Sequence, residues 1–261
     1  MTPLEFDGLG VIVTGSAVGI GRALCVEFAS RGSRIAGLDI DASGNESTAD
    51  EVAAVGGSLY AVRCDVGDAQ AAKAAIDQAA AEFGRIDVLV NNAAVWNDTT
   101  LTAGPYEEQV AAFHRAMDAC AMGSFHCAAA AVPVMRITGG VIVNLITEHI
   151  RSHRLITGMS ATGYDAAKFA QWRLTESWAL ELAPLGIRVN GIAFGATNTP
   201  MLRAVSARMT ARGMRASDMA EAVANIVRQG PGGASGVTYD VGFSGTPREE
   251  SLSQIAAILT L

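Results

Sequence analysis

Gly10-Val11-Ile12-Val13-Thr14 runs directly into Gly15-Ser16-Ala17-Val18-Gly19-Ile20-Gly21, and these twelve residues decide the architecture. The first five read as a buried strand, and the glycines that follow read as a tight turn opening a helix. Gly15 permits the turn off the strand, Gly19 lets backbone approach a pyrophosphate, and Gly21 lets the helix pack closely on the sheet. The free N–H groups and positive dipole end of that helix would face the phosphates. Thr14, Gly15, Ser16, Gly19, Ile20 and Gly21 are therefore candidate dinucleotide-binding residues.

The next apolar run, Arg34–Asp39, ends in a carboxylate 18 positions after Gly21. Asp39 can accept from both ribose hydroxyls of an adenosine and repels a 2′-phosphate. No Lys or Arg stands at Ser16–Val18 to clamp such a phosphate. The expectation is NAD rather than NADP.

Further strands are expected at Ser58–Arg63, Ile86–Asn91, Gly140–Thr147, Ile187–Phe194 and Gly236–Val241. Their nearly continuous apolar character suits parallel strands covered on both faces. Between them lie alanine-rich stretches of helical period. Asp68–Phe83 carries Asp68 as a cap and Gly84 just past its end. Tyr106–Arg136 and Thr162–Ala183 are longer, the former expected to bend or break near Pro133. Alternation along the whole length predicts one α/β domain over residues 1–261. It is a doubly wound, Rossmann-like parallel sheet with helices on both faces. The apolar helical tail 247–261 is a candidate subunit contact.

Composition excludes several classes. Of 261 residues, half are hydrophobic and 17% charged, which is incompatible with disorder and sufficient for a full core. A net charge of −7 argues against nucleic acid or an anionic membrane as partner. Cys25, Cys64, Cys120 and Cys127 are scattered, without metal-ligand spacing, and read as reduced thiols of a cytoplasmic protein. No basic, leader-like start precedes Gly8. The longest apolar run, Cys127–Met135, falls well short of the roughly 18 residues that span a bilayer. The expectation is a soluble protein with a small-molecule substrate and no metal.

From Leu9 to Gly242 the chain resembles the short-chain dehydrogenase/reductase family. Thr14–Gly21 resembles its T-G-x-x-x-G-x-G loop, and Cys64-Asp65-Val66 resembles the segment whose Asp touches adenine. Asn91-Asn92-Ala93-Ala94 resembles N-N-A-G, and Tyr164-Asp165-Ala166-Ala167-Lys168 matches Y-x-x-x-K. Arg188-Val189-Asn190 follows in place, and Phe194-Gly195-Ala196-Thr197-Asn198-Thr199 resembles P-G-x-x-x-T with phenylalanine first. The resemblance implies hydride transfer between the nicotinamide of NAD and a secondary alcohol or ketone, in a homotetramer. It adds Asp65, Val66, Asn92, Thr197 and Thr199 to the cofactor set. The long helices and the tail are its expected subunit contacts.

Tyr164 is the expected acid/base. Tyrosine, with an ordinary pKa near ~10, needs its phenolate stabilised, and a lysine four residues on lies on the same helix face. The chain carries 19 basic residues, and only Lys73 and Lys168 among them are lysines. A compact ammonium is thus kept where guanidinium cannot replace it.

Two departures stand out. Where the family has a catalytic serine at the end of the fifth strand, Val143-Asn144-Leu145-Ile146-Thr147 offers Thr147. The stretch to Tyr164 is lengthened, leaving Ser152 and Ser160 as alternatives. The family's asparagine, three before a glycine in the long helix, is Cys120 here, and a thiol would hold the associated water poorly. Two rival readings therefore stay open: a non-redox epimerase or lyase, and a cofactor-binding regulator without catalysis.

Other candidates are weaker. Trp96 could line the substrate mouth. Arg151 and Arg154, in the basic stretch Glu148–Leu155, could clamp an acidic substrate. His114, His126, Trp172 and Trp178 read as packing or surface residues. Met201, Met209, Met214 and Met219 read as core or as a pliable flap.

Overall fold

The computed structural model describes residues 4–96, 101–102, 104–151, 161–243 and 246–260. Strand β1 (Gly10–Thr14) leads into helix α1 (Gly19–Ser30). The alternation continues through β2 (Arg34–Asp39), α2 (Ala42–Ala54), β3 (Leu59–Arg63), α3 (Ala69–Phe83) and β4 (Val88–Asn91). Helices α4 (Tyr106–Ala116) and α5 (Gly123–Met135) then lead to β5 (Gly140–Leu145), α6 (Thr162–Leu182) and β6 (Ile187–Phe194). A two-stranded pair, β7 (Thr197–Asn198) and β8 (Met214–Arg215), brackets the short helices α7 (Pro200–Val205) and α8 (Ala207–Arg212). Helix α9 (Ala216–Arg228), strand β9 (Thr238–Val241) and helix α10 (Arg248–Ala257) close the chain.

The main sheet is wholly parallel, in the order β3-β2-β1-β4-β5-β6-β9. Its two faces bury alternate residues of each strand. Val11 and Val13, Val88 and Val90, and Val141 and Val143 face one layer, which holds Leu24, Phe28 and Val223. Ile12, Leu89 and Ile142 face the other, with Ile76, Cys127 and Trp178. Burial on both faces is why the strands read as continuous apolar runs. The order reverses between β1 and β4, which opens a crevice at their carboxyl ends.

Two sequence expectations shift. The fifth strand ends at Leu145, because Thr147 turns the chain into a short 3₁₀ segment, Glu148–Ile150. The long helix does not break at Pro133, which lies one turn from its end. Its irregularity is a π-helical turn at Met117–Met122, between α4 and α5. The tail packs against the chain's own core: Ile255 and Ile258 are buried, and Gln229 Nε2 donates to Ile258 O at 2.6 Å. Among the described residues no helix is long and apolar enough to cross a membrane.

Candidate active site

A cavity of about 290 Å³ opens at the β1/β4 reversal. One end is built by the glycine turn. Gly15 and Gly19 have φ of +68° and +60°, and a Cβ on Gly21 would lie 1.9 Å from Gly15 O. Substitution there would therefore unseat helix α1 from the turn. Helix α1 begins with Val18 as a cap that makes no side-chain hydrogen bond, and no acid occupies its first turn. Its leading N–H groups therefore present an uncapped, positive helix end, suited to a pyrophosphate. Asp39 lines the same end, its carboxylate held by Ala17 N at 2.8 Å and Asp41 N at 2.9 Å. The residues present fit a dinucleotide. A nicotinamide group bound there supplies the hydride acceptor or donor.

Several loop residues brace this end without lining it. Thr14 Oγ1 accepts from Asn92 N and Ala93 N, both at 3.0 Å, so it ties β1 to the β4 turn. Ser16 is fully buried, and its hydroxyl donates to Asn45 Oδ1 at 2.8 Å. Asn92 does line the cavity, while its Nδ2 donates to Thr14 O and Gly15 O. Asp65 Oδ1 accepts from Gly67 N at 2.9 Å, and Val66 is buried against Gly123; neither lines the cavity. Ile20, Thr197 and Thr199 line it, although Thr199 Oγ1 also caps α7 by accepting from Leu202 N.

The reacting end is organised by α6. Tyr164, Ala167, Lys168, Gln171, Thr175 and Trp178 recur at three- and four-residue spacing and are all buried on one face. Asn91 and Asn144, paired across β4 and β5, pull that face onto the strand ends. Asn91 Nδ2 donates to Asn144 Oδ1 and Asn144 Nδ2 to Thr175 Oγ1, each at 2.8 Å. Burial pushes the Tyr164 phenol above its ordinary value, and a hydrogen bond with the Thr147 side chain pulls it back down. The Lys168 ammonium lies 5.8 Å from the Tyr164 ring centre, and burial holds its pKa below the ordinary value. Tyr164, Thr147 and Lys168 thus meet on one cavity wall. That grouping can exchange a proton with a hydroxyl or carbonyl oxygen.

The lysine is held by groups that spacing alone did not single out. Lys168 Nζ donates to Leu145 O at 2.6 Å and to Gln171 Oε1 at 2.9 Å. Gln171 Nε2 donates to Ser124 Oγ at 2.8 Å, and Ser124 Oγ donates to Cys120 O at 2.6 Å. Cys120 does occupy the π-helical turn behind Tyr164, so it contributes a backbone carbonyl where the family has an amide side chain. Gln171→Leu removes one of the two acceptors of a buried ammonium. A hydrogen bond to a charged group contributes ~1.5–3 kcal/mol, so kcat should fall about tenfold or more. Gln171→Glu, which keeps an acceptor, should recover most of the loss. Comparing the pH–rate profiles of the two variants checks that the lysine, and not the fold, is affected.

The remaining candidates separate. Trp96 lines the cavity, with its ring centre 5.0 Å from that of Tyr164. Met201 and Met209 line it too, whereas Met214 and Met219 are core residues. Arg151 corrects the anion-clamp expectation. Its guanidinium donates to Asp240 at 2.7 Å and lies over Trp172, away from the cavity walls. Ser152, Arg154 and Ser160 lie outside the described residues. His114 is exposed, and His126 Nδ1 hydrogen-bonds Val66 O at 3.0 Å. Trp178 is buried in the core. His149 and Asp165, read from sequence only as a loop residue and a spacer, line or border the cavity as a hydrogen-bonded pair. No sequence spacing marks them, because 16 residues separate them.

A strand–glycine-turn–helix crevice carrying a Tyr–Lys pair and a strand-end hydroxyl defines a class of nicotinamide-dependent oxidoreductase. The chain belongs to the short-chain dehydrogenase family, whose model matches residues 10–210. It is 33% identical over 202 residues to 7alpha-hydroxysteroid dehydrogenase of Escherichia coli K12, covering 77% of this chain and 76% of that one. It is 34% identical over 191 residues to D-threitol dehydrogenase of Mycolicibacterium smegmatis, covering 72% and 70%. A solved structure of a 7alpha-hydroxysteroid dehydrogenase with NADH and 7-oxo glycochenodeoxycholic acid superposes with a TM-score of 0.83. It shares 29% identity and covers 93% of this chain and 96% of that one. The protein is an oxidoreductase acting on CH–OH groups.

Proposed function

We propose that this protein is an NAD-dependent alcohol dehydrogenase or carbonyl reductase, working as one domain. The observation that carries the reading is the meeting of Tyr164, Thr147 and Lys168 on a cavity whose other end presents Asp39 and an uncapped helix. In the oxidative direction Thr147 orients the substrate hydroxyl, and Tyr164 Oη takes its proton. The Lys168 ammonium favours the phenolate and leaves a third N–H for the nicotinamide ribose. Thr197 and Thr199 border the nicotinamide end, and Leu202, Val205 and Met209 exclude water.

Asp39 supports NAD over NADP, as does the engagement of Arg22 by Ala17 O, Thr48 and Glu51. The relatives named for a hydroxysteroid and for threitol support a secondary alcohol or its ketone as substrate. Neither a non-redox reading nor a purely regulatory one gains support from the site or the relatives. A homotetramer is supported by exposed apolar side chains on the long helices: Phe113, Met122, Phe125, Phe169 and Leu180. Four free, buried thiols agree with a cytoplasmic setting. Incubation with NAD and a panel of secondary alcohols, followed as NADH absorbance, tests the reading. NADH should accumulate with at least one of them, and a panel that yields none overturns it.

A further inference from the structure

His149 lines the cavity beside Tyr164 but outside the grouping of Tyr164, Thr147 and Lys168. It is buried and sits edge-on to two aromatic rings. Its ring centre is 6.2 Å from that of Tyr164 and 6.1 Å from that of Trp96, at interplanar angles of 81° and 80°. The short segment Glu148–Ile150 fixes its backbone, with Thr147 Oγ1 accepting from His149 N at 3.4 Å. Its Nδ1 hydrogen-bonds Asp165 Oδ1 at 2.6 Å. Asp165 directly follows Tyr164, so one helical turn carries both the acid/base and the carboxylate that aims the imidazole.

That carboxylate sets the tautomer. A carboxylate partner favours the tautomer with the proton on Nδ1, in which Nε2 carries the lone pair. Nε2 makes no hydrogen bond to any described residue, and the side chain fronts the cavity. Trp96, on the same wall, has a buried Nε1–H without a partner. An unengaged acceptor beside the reacting end suits a neutral group that donates a hydrogen bond. A hydroxyl does this; a carboxylate cannot donate to Nε2. Among the described residues no arginine lines the cavity, and its one lysine is held by Leu145 O and Gln171, with its third N–H assigned above to the cofactor ribose.

We infer that His149, oriented by Asp165, binds a second, neutral hydroxyl of the substrate close to the reacting carbinol, so that the enzyme prefers diols and polyols over mono-alcohols. The inference rests on the dehydrogenase reading above and specifies its substrate class. His149 acts in specificity, and the proton at the reacting oxygen stays with Tyr164.

The test measures kcat/KM with NAD on matched pairs: cis-cyclohexane-1,2-diol against cyclohexanol, and butane-2,3-diol against butan-2-ol. 3-Hydroxybutyrate serves as the anionic counterpart. The wild type should favour each diol by at least about tenfold, since a site built to hydrogen-bond a hydroxyl rejects analogues lacking it. His149→Phe keeps the ring contacts but has no Nε2, and the diol-to-alcohol ratio should collapse toward one. Asp165→Asn, whose amide can donate to Nδ1, should move the proton to Nε2 and also lower the ratio. Equal efficiencies within the pairs, a ratio that survives in His149→Phe, or a preference for 3-hydroxybutyrate over the diol would each overturn the inference. Turnover with equal ratios leaves the dehydrogenase reading standing. No NADH from any of these compounds or from the wider alcohol panel removes both.

Discussion

Tyr164→Phe should lower turnover by roughly 10² to 10⁴, the range typical of a general acid–base group, while NAD still binds. The substitution deletes one hydroxyl from a buried ring and leaves the ring's contacts with Trp96 and His149 in place. The glycine turn and Asp39, at the other end of the cavity, are untouched. Steady-state kinetics and NADH fluorescence titration separate the two effects, and near-normal turnover would refute the mechanism. A companion substitution carries a sign. Alcohol oxidation needs the phenolate, burial raises the Tyr164 pKa, and the Thr147 hydrogen bond lowers it. Thr147→Val removes the lowering contribution, so the rising limb of the oxidative pH–rate profile should move to higher pH. A limb that stays put, or moves to lower pH, would separate Thr147 from the phenol.

Asp39 is expected to decide the cofactor. Its carboxylate is pinned at the end of β2 by two backbone amides and cannot swing away from a ribose 2′-substituent. A 2′-phosphate would bring a second anion into contact, and like-charge juxtaposition costs several kcal/mol. Wild-type kcat/KM should therefore favour NAD over NADP by about 10² or more. Asp39→Ala should narrow the gap from both sides, losing the ribose hydrogen bonds of NAD and the repulsion against NADP. Equal use of both cofactors by the wild type would remove the assignment.

Features legible along the chain are those whose geometry is local. The glycine turn, Asp39 at a strand end and the Tyr164–Lys168 spacing all follow from backbone repeats of two and 3.6 residues, which place neighbours in sequence on a common face. Asp68 and Gly84 bound α3 as read, because a cap and a left-handed end act within one turn. The strand-end hydroxyl was legible for the same reason. Thr147 stands two residues past the end of β5 and reaches Tyr164, even though the intervening stretch is lengthened.

What escaped the sequence is long-range. Arg151 reads as a candidate anion clamp until folding brings Asp240, 89 residues away, against it. Thr14 and Ser16 read as cofactor-loop residues, and only folding brings Asn92 and the α2 residue Asn45 to their hydroxyls. Gln171 and Ser124, 47 residues apart, become partners only because α6 packs against the start of α5. His149 gains its carboxylate partner only when α6 sets Asp165 beside it. The sequence by itself determined the parallel sheet, the glycine-turn crevice and the placing of Tyr164 and Lys168 on one helix face, since local spacing suffices for each. Tertiary packing alone decided which polar groups satisfy one another and which are left facing the cavity, because a buried donor or acceptor is defined by its neighbours in space.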